Sequence, residues 1–342
     1  MAEHARPDRE RVQHWNEILR PYWGPDTKRS VTQLLATAIP FVVLWYLAYR
    51  SLEVGYWLTL TLAVPTTGFM MRLFMIQHDC GHGSFFHSRR ARDILGFWIG
   101  VLLLTPYEYW RKTHAYHHAH SGNLTFRGFG DIDTFTVKEY LSWPWRRRLA
   151  YRLYRHPLIL FTVGPAFHFL VKHRYPWDIP GDWTQAWRSV WLTNLAIVGV
   201  VAVMWATIGL KAFLMVQLPI TLLACSVGVW LFYVQHQFEH TYWHWHERWD
   251  YYDASLHGSS YLVLPKPLQW ITASIGVHHV HHLSARIPNY KLQQVHDENP
   301  ELHVVTRMTI KDTFRLLNLT LWDEERERLI RFRDLKPMRP AA

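Results

Sequence analysis

Four long apolar runs decide what this chain can fold into. They cover residues 31–49, 54–76, 189–207 and 212–235, each close to the roughly 20 residues that a helix needs to cross a bilayer. No water reaches the hydrocarbon core, so backbone amides there must bond within a helix or a closed barrel. The first two runs are separated by a short turn around Ser51 and Glu53, the last two by residues 208–211. This order predicts two transmembrane hairpins. Pro40, Pro65 and Pro219 interrupt three of the runs, which spanning helices tolerate.

Charge orients the hairpins, because Lys and Arg accumulate in cytoplasmic loops. The two hairpin turns carry one basic residue each, Arg50 and Lys211, whereas the other side holds Arg89, Arg90, Arg92, Arg111, Lys112 and the triplet at 146–148. Both termini are therefore expected in the cytoplasm. Residues 1–30 are charged and polar, without the apolar core and cleavage site of a removable leader, so the first run is expected to direct insertion. Arg72, near the inner end of the second run, is expected to snorkel to the headgroups. The net charge of +10 comes with no nucleic-acid motif and points to anionic lipid and acidic partners instead. A load of 19 Trp, 17 Tyr and 17 Phe fits the same setting, since aromatic rings concentrate at membrane interfaces.

Eight histidines fall into three clusters beside these runs: His78 and His82; His114, His117 and His118; His278, His281 and His282. Spacings of i, i+3 and i+4 put the members of each cluster on one helix face, and neutral imidazole is a good ligand for iron, zinc, copper and nickel. His236, at the end of the fourth run in VQHQFEH, is a ninth candidate, with His240 one turn further on as its competitor. Nine imidazoles exceed the four ligands of a closed zinc site and suit two adjacent metals with four or five each. Asp79 and Glu239, beside the clusters, are candidate acceptors for imidazole N–H groups. Cys80 and Cys225 form no CxxC pair, which excludes a disulfide framework and a cysteine-ligated cluster; Cys80 reads as a small buried residue.

Two shorter apolar stretches, 94–106 and 158–171, cannot each cross once, because the clusters on either side would then face opposite compartments. Both are expected to be interfacial or re-entrant helices. Residues 256–277 read as a turn and a short apolar helix against the membrane. The predicted fold is an all-α membrane protein: four transmembrane helices in two hairpins, cytoplasmic-side interfacial helices and a cytoplasmic cap. Its parts are an N-terminal segment (1–30), a membrane domain with the first two clusters (31–236) and a cap with the third (237–342).

The motifs resemble those of the membrane fatty acid desaturase family, closest to bacterial acyl-lipid desaturases. HDCGHGS, HAYHHAHSGN with RGFGDIDTFTVKEY after it, and GVHHVHHLSARIPNY with GSSY upstream are similar to its three boxes, and VQHQFEH to its extra histidine element. The similarity implies one integrated desaturase domain over about 54–300. It places His78, His82, His114, His117, His118, His278, His281 and His282 on iron-ligand positions and His236 on the extra one. The implied reaction inserts a cis double bond into a fatty acyl chain, using O2, two electrons and two non-haem iron ions. Breaking an unactivated methylene C–H needs a strong oxidant shielded from water, a demand that a metal pair at the lipid boundary meets.

The chain has no His-Pro-Gly-Gly haem motif, no cysteine set for an iron–sulfur or rubredoxin domain and no Gly-rich nucleotide fingerprint. A separate ferredoxin-like or cytochrome-type donor is therefore expected, with the basic face attracting an acidic carrier. The same scaffold could serve an acyl, alkane or carotenoid hydroxylase or ketolase. A transition-metal transporter would carry its ligands at mid-membrane, whereas these histidines gather at one edge. A bacterial inner membrane, with the active site on the cytoplasmic side, is the expected location.

Overall fold

The computed structural model describes residues 9–335, so residues 1–8 of the expected N-terminal segment and 336–342 of the expected cap lie outside the described residues. A short helix, α1 (Arg9–Leu19), precedes α2 (Thr27–Arg50), which is started by Asp26. The Asp26 carboxylate accepts from the Arg29 amide at 3.0 Å, satisfying one of the free donors of the first turn. A 3-10 turn at Ser51–Glu53 reverses the chain into α3 (Tyr56–His82). That helix stops at Gly83, whose φ of 80° is the left-handed conformation glycine adopts without strain. The stop leaves His78 and His82 on the last two turns. Next come α4 (Arg89–Leu102) and α5 (Tyr107–His120), packed so tightly that a Cβ on Gly96 would lie 2.4 Å from the Tyr107 ring.

After them come α6 (Val137–Ser142) and α7 (Trp145–Tyr154), the second carrying the basic triplet at 146–148. A π-helical turn at Ile159–Val163 runs into α8 (Gly164–Leu170). Thus the stretch expected at 94–106 is the end of α4 and the turn after it, and that at 158–171 is mostly the π-turn and α8; both are shorter than a span. The second hairpin consists of α9 (Thr184–Ile208) and α10 (Leu210–His236), joined at Gly209. Among the described residues, four helices are long and apolar enough to cross a membrane, as predicted: Thr27–Glu53, Tyr56–His82, Thr184–Ile208 and Leu210–His236.

These spans are not equivalent. The most apolar stretch of α3 is 56% buried and that of α9 only 6%, so α3 is the central post, contacting α2, α4, α5 and α10. Helix α9 turns Leu195, Val198 and Val203 outward, which costs nothing in lipid, itself as apolar as leucine. Arg72 departs from expectation. Its side chain is buried, with the guanidinium 3.9 Å over the Trp270 ring and Nε donating to Thr37 Oγ1 at 3.2 Å. The segment carrying Trp270 closes over it, so it does not reach out to the headgroups.

The described residues after α10 form a region of short helices: α11 (Tyr251–His257), α12 (Lys266–Ile271), α13 (His278–Leu283), α14 (Asn289–Glu298) and α15 (Ile310–Leu316). Five strands of two or three residues brace it: β1 (Phe135–Thr136), β2 (Tyr261–Val263), β3 (Arg307–Thr309), β4 (Leu321–Asp323) and β5 (Arg328–Ile330). Strand β2 runs parallel to β3; β1 runs parallel to β4, which pairs antiparallel with β5. Of the turn and apolar helix expected over 256–277, the turn lies at residues 258–259 and the helix is α12, with the strand β2 between them. The N-terminal α1 docks on this region, burying Trp15 and Leu19 in one cluster with Leu256, Leu292 and Leu302. Its Arg11 reaches Asp250 at 3.0 Å and Asp253 at 2.5 Å.

Arg155, just past α7, is a buried cross-link. It donates to the Asp133 carbonyl at 2.9 Å, to Gln237 Oε1 at 2.9 Å and to the Leu319 carbonyl at 2.7 Å. It thereby joins the loop before β1, the end of α10 and the segment leading into β4. The Asp133 and Leu319 carbonyls each keep a second donor, the Tyr151 hydroxyl at 3.1 Å and the Tyr233 hydroxyl at 3.0 Å, so what Arg155 contributes is hydrogen bonds from a charged donor, each worth about 1.5–3 kcal/mol. Arg155→Ala is expected to lose at least about 3 kcal/mol, measured as a lower thermal unfolding midpoint; an unchanged midpoint would refute the cross-link.

Candidate metal centre

Nine imidazoles converge where the C-terminal ends of α3 and α10 meet α5 and α13. They sort into two groups whose ring nitrogens all lie within 4.8 Å of one another: His78, His82, His114, His118 and His281 in one, His117, His236, His278 and His282 in the other. The sorting follows helix geometry. On α5 the i, i+4 pair His114 and His118 joins the first group and the lone His117 the second. On α13 the roles reverse, with His278 and His282 in the second group and His281 in the first. The ends of α3 and α10 complete them. His236, the last residue of α10, enters the second group, whereas His240 lies beyond the helix end, exposed and in neither group.

The donor geometry suits a metal. Nε2 to Nε2 separations are 2.9 Å for His236–His278, 3.1 Å for His278–His282, 3.3 Å for His117–His282, 3.2 Å for His114–His118 and 2.9 Å for His118–His281. Two nitrogens bound about 2.1 Å from one ion at 90–110° stand about 3.0–3.4 Å apart. The Nδ1 of His236 contacts the Gly258 carbonyl at 3.0 Å; as a carbonyl only accepts, that ring carries its proton on Nδ1 and presents a lone pair on Nε2. His82 Nε2 is buried with no hydrogen-bond partner among the described residues, a cost that coordination removes. Burial also pushes the pKa of His114, His118, His278, His281 and His282 well below the usual imidazole value, so each is neutral near pH 7. The residues present therefore fit a pair of metal ions.

Other side chains orient the rings. Asp131 Oδ1 hydrogen-bonds His117 Nδ1, and Asp79 Oδ1 lies 3.3 Å from His78 Nδ1. Trp110 stacks on His114 with centroids 4.5 Å apart, and Phe232 packs against His117 at 5.0 Å and His236 at 5.1 Å. Gly81 makes room for that tryptophan, since a Cβ there would come within 2.9 Å of its ring.

Of the residues singled out in the sequence, the nine imidazoles come together. Glu239 does not join them; its carboxylate is exposed and pairs with Arg328 at 2.9 Å. Cys80 is buried outside both groups. His279, inside the third cluster, turns away to His296 at 3.1 Å. Asp131 and the Gly258 carbonyl were not foreseen. The first lies in RGFGDIDTF, a stretch marked only as part of the motif, and the second follows from backbone position alone.

A sequence model of the fatty acid desaturase family matches residues 54–309. The chain is 49% identical over 312 residues to a fatty acid desaturase of Bacillus subtilis (strain 168), covering 91% of this chain and 88% of that one. It is 29% identical over 277 residues to an sn-1 oleoyl-lipid 12-desaturase of Anabaena variabilis, covering 78% and 75%. Identity to an endoplasmic reticulum omega-3 fatty acid desaturase of Vigna radiata var. radiata is 26% over 293 residues, covering 79% and 71%.

Proposed function

The chain belongs to the fatty acid desaturase family, and we propose that it acts on membrane acyl-lipids at a site holding two iron ions. Two adjacent methylenes each lose a hydrogen and become a cis double bond, while O2, two electrons and two protons become two waters. The observation that carries this reading is the sorting of nine imidazoles into a five and a four. The first ion would be held by His78, His82, His114, His118 and His281, the second by His117, His236, His278 and His282. Bound iron supplies the oxidising power that a methylene C–H requires.

The chain's own groups do the rest. Asp131 and the Gly258 carbonyl hold the His117 and His236 rings with Nε2 pointing inward, and Asp79 does the same for His78. Trp110 and Phe232 line the imidazoles with apolar surface, which keeps bulk water from the reacting carbon. The ends of the spans bring the centre to the lipid boundary, where an acyl chain can reach it without leaving the membrane. An acyl-lipid substrate accords with what the Anabaena relative's name says of that protein.

We assign the electrons to a separate acidic carrier, ferredoxin-like or cytochrome-type, drawn to the basic side of the membrane. The bias of Lys and Arg favours an inner-membrane protein with both termini and the centre in the cytoplasm, and an organisation into an N-terminal segment, a membrane domain and a cap. The decisive experiment expresses the protein in a bacterium whose lipids lack the product and maps new double bonds by mass spectrometry. Loss of two mass units from an acyl chain is expected; gain of a hydroxyl would move the protein to the hydroxylases. Stripping metal with a chelator is expected to abolish the reaction and iron(II), not zinc, to restore it, whereas full activity with zinc alone would overturn the assignment.

A further inference from the structure

Asp79 is 2% exposed and has no Lys or Arg partner among the described residues. An isolated carboxylate in such a place is costly, and its hydrogen bonds show what holds it. Oδ2 accepts from both the backbone amide and the side-chain Nδ2 of Asn289, each at 2.8 Å. Oδ1 is left facing His78 Nδ1. The Asn289 side chain is set in turn by Gln33, near the start of α2: Gln33 Nε2 donates to Asn289 Oδ1 at 2.9 Å, and Asn289 Nδ2 approaches Gln33 Oε1 at 3.4 Å. This reciprocal amide pairing fixes which end of Asn289 meets the carboxylate. One turn on, Thr37 donates to the Gln33 carbonyl at 2.6 Å and accepts from Arg72 at 3.2 Å. A buried polar chain thus runs from Arg72 on α3 to a ring in the five-imidazole group.

We propose that Gln33 and Asn289 are positioning residues for the metal centre, acting through Asp79 to orient His78. Gln33 lies ahead of the stretch matched by the family model, 54–309, on a helix that supplies no imidazole. A carboxylate hydrogen-bonded to a ligating imidazole fixes its tautomer and raises its basicity, and loss of such a partner costs 10–100-fold in metal affinity or activity. Gln33 and Asn289 set the direction of that carboxylate. A role in packing alone would not require both Asp79 oxygens to be committed. The inference rests on the two-iron reading above.

The test measures transfer of iron from the loaded, full-length protein to a chelator, together with the spectrum of the bound iron. The variants are Asn289→Ala and the nearly isosteric Gln33→Met, each alone and combined with Asp79→Asn. Asn289→Ala is expected to release iron about tenfold faster and Gln33→Met to shift release and spectrum in the same direction. In the Asp79→Asn background Gln33→Met is expected to add nothing, because its route to His78 is already cut. Wild-type release by both single variants, or an equal effect of Gln33→Met with and without Asp79, overturns the inference and leaves the proposed function standing. A wild-type protein that holds no iron overturns both.

Discussion

His117→Ala is expected to abolish the new double bond while the protein still accumulates in the membrane. The variant removes one of the four imidazoles in the smaller group and the partner of Asp131. Loss of an outer partner alone costs 10–100-fold, so loss of the imidazole should cost at least about a hundredfold in product, with less metal retained per chain than in the wild type. The Asp131 carboxylate, nearly enclosed, would then be stranded and could lower protein yield for a reason unrelated to metal. Adding Asp131→Asn should restore yield and leave product at zero. Near wild-type product from His117→Ala would remove the second group from the chemistry.

Asp131→Ala is expected to keep all nine imidazoles and lose about 10–100-fold in activity, with a matching rise in the rate of iron release. Without that carboxylate the His117 ring can rotate or move its proton to Nε2, the nitrogen facing His282 at 3.3 Å. Asp131→Asn keeps an acceptor oxygen but not the charge, and should fall between wild type and alanine. Product formation by lipid mass spectrometry and chelator competition read the two effects separately. Unchanged iron release in the alanine variant would show that Asp131 acts on something other than the ring.

The spans and the nine imidazoles were legible because both are local patterns, a run of apolar residues and a helical spacing. The choice between His236 and His240 was open by spacing. In the fold it is His236 that lies among the other rings, because Gln237, at φ −111° and ψ 75°, leaves the helix and takes His240 with it. The five-and-four sorting was not legible, since it depends on how α5 and α13 face each other across 163 residues of chain. Asp131 and Asn289 were hidden for the same reason; each meets its partner only through the fold, Asn289 across a separation of 210 residues. The burial of Arg72 escaped because snorkelling assumes open lipid beside the span, and here Trp270 fills that place. Strands of two or three residues are too short to display an alternating pattern.

The crossed allocation on α5 and α13 has a consequence for how the protein matures. Each of these helices serves both groups, so neither group can be assembled or dismantled without moving a helix that the other needs. On the two-iron reading, holding α13 against α5 for one group of rings would leave the rings of the other group pre-organised. Loading should then be cooperative: at substoichiometric iron the population would divide into empty and fully loaded molecules, with few in between.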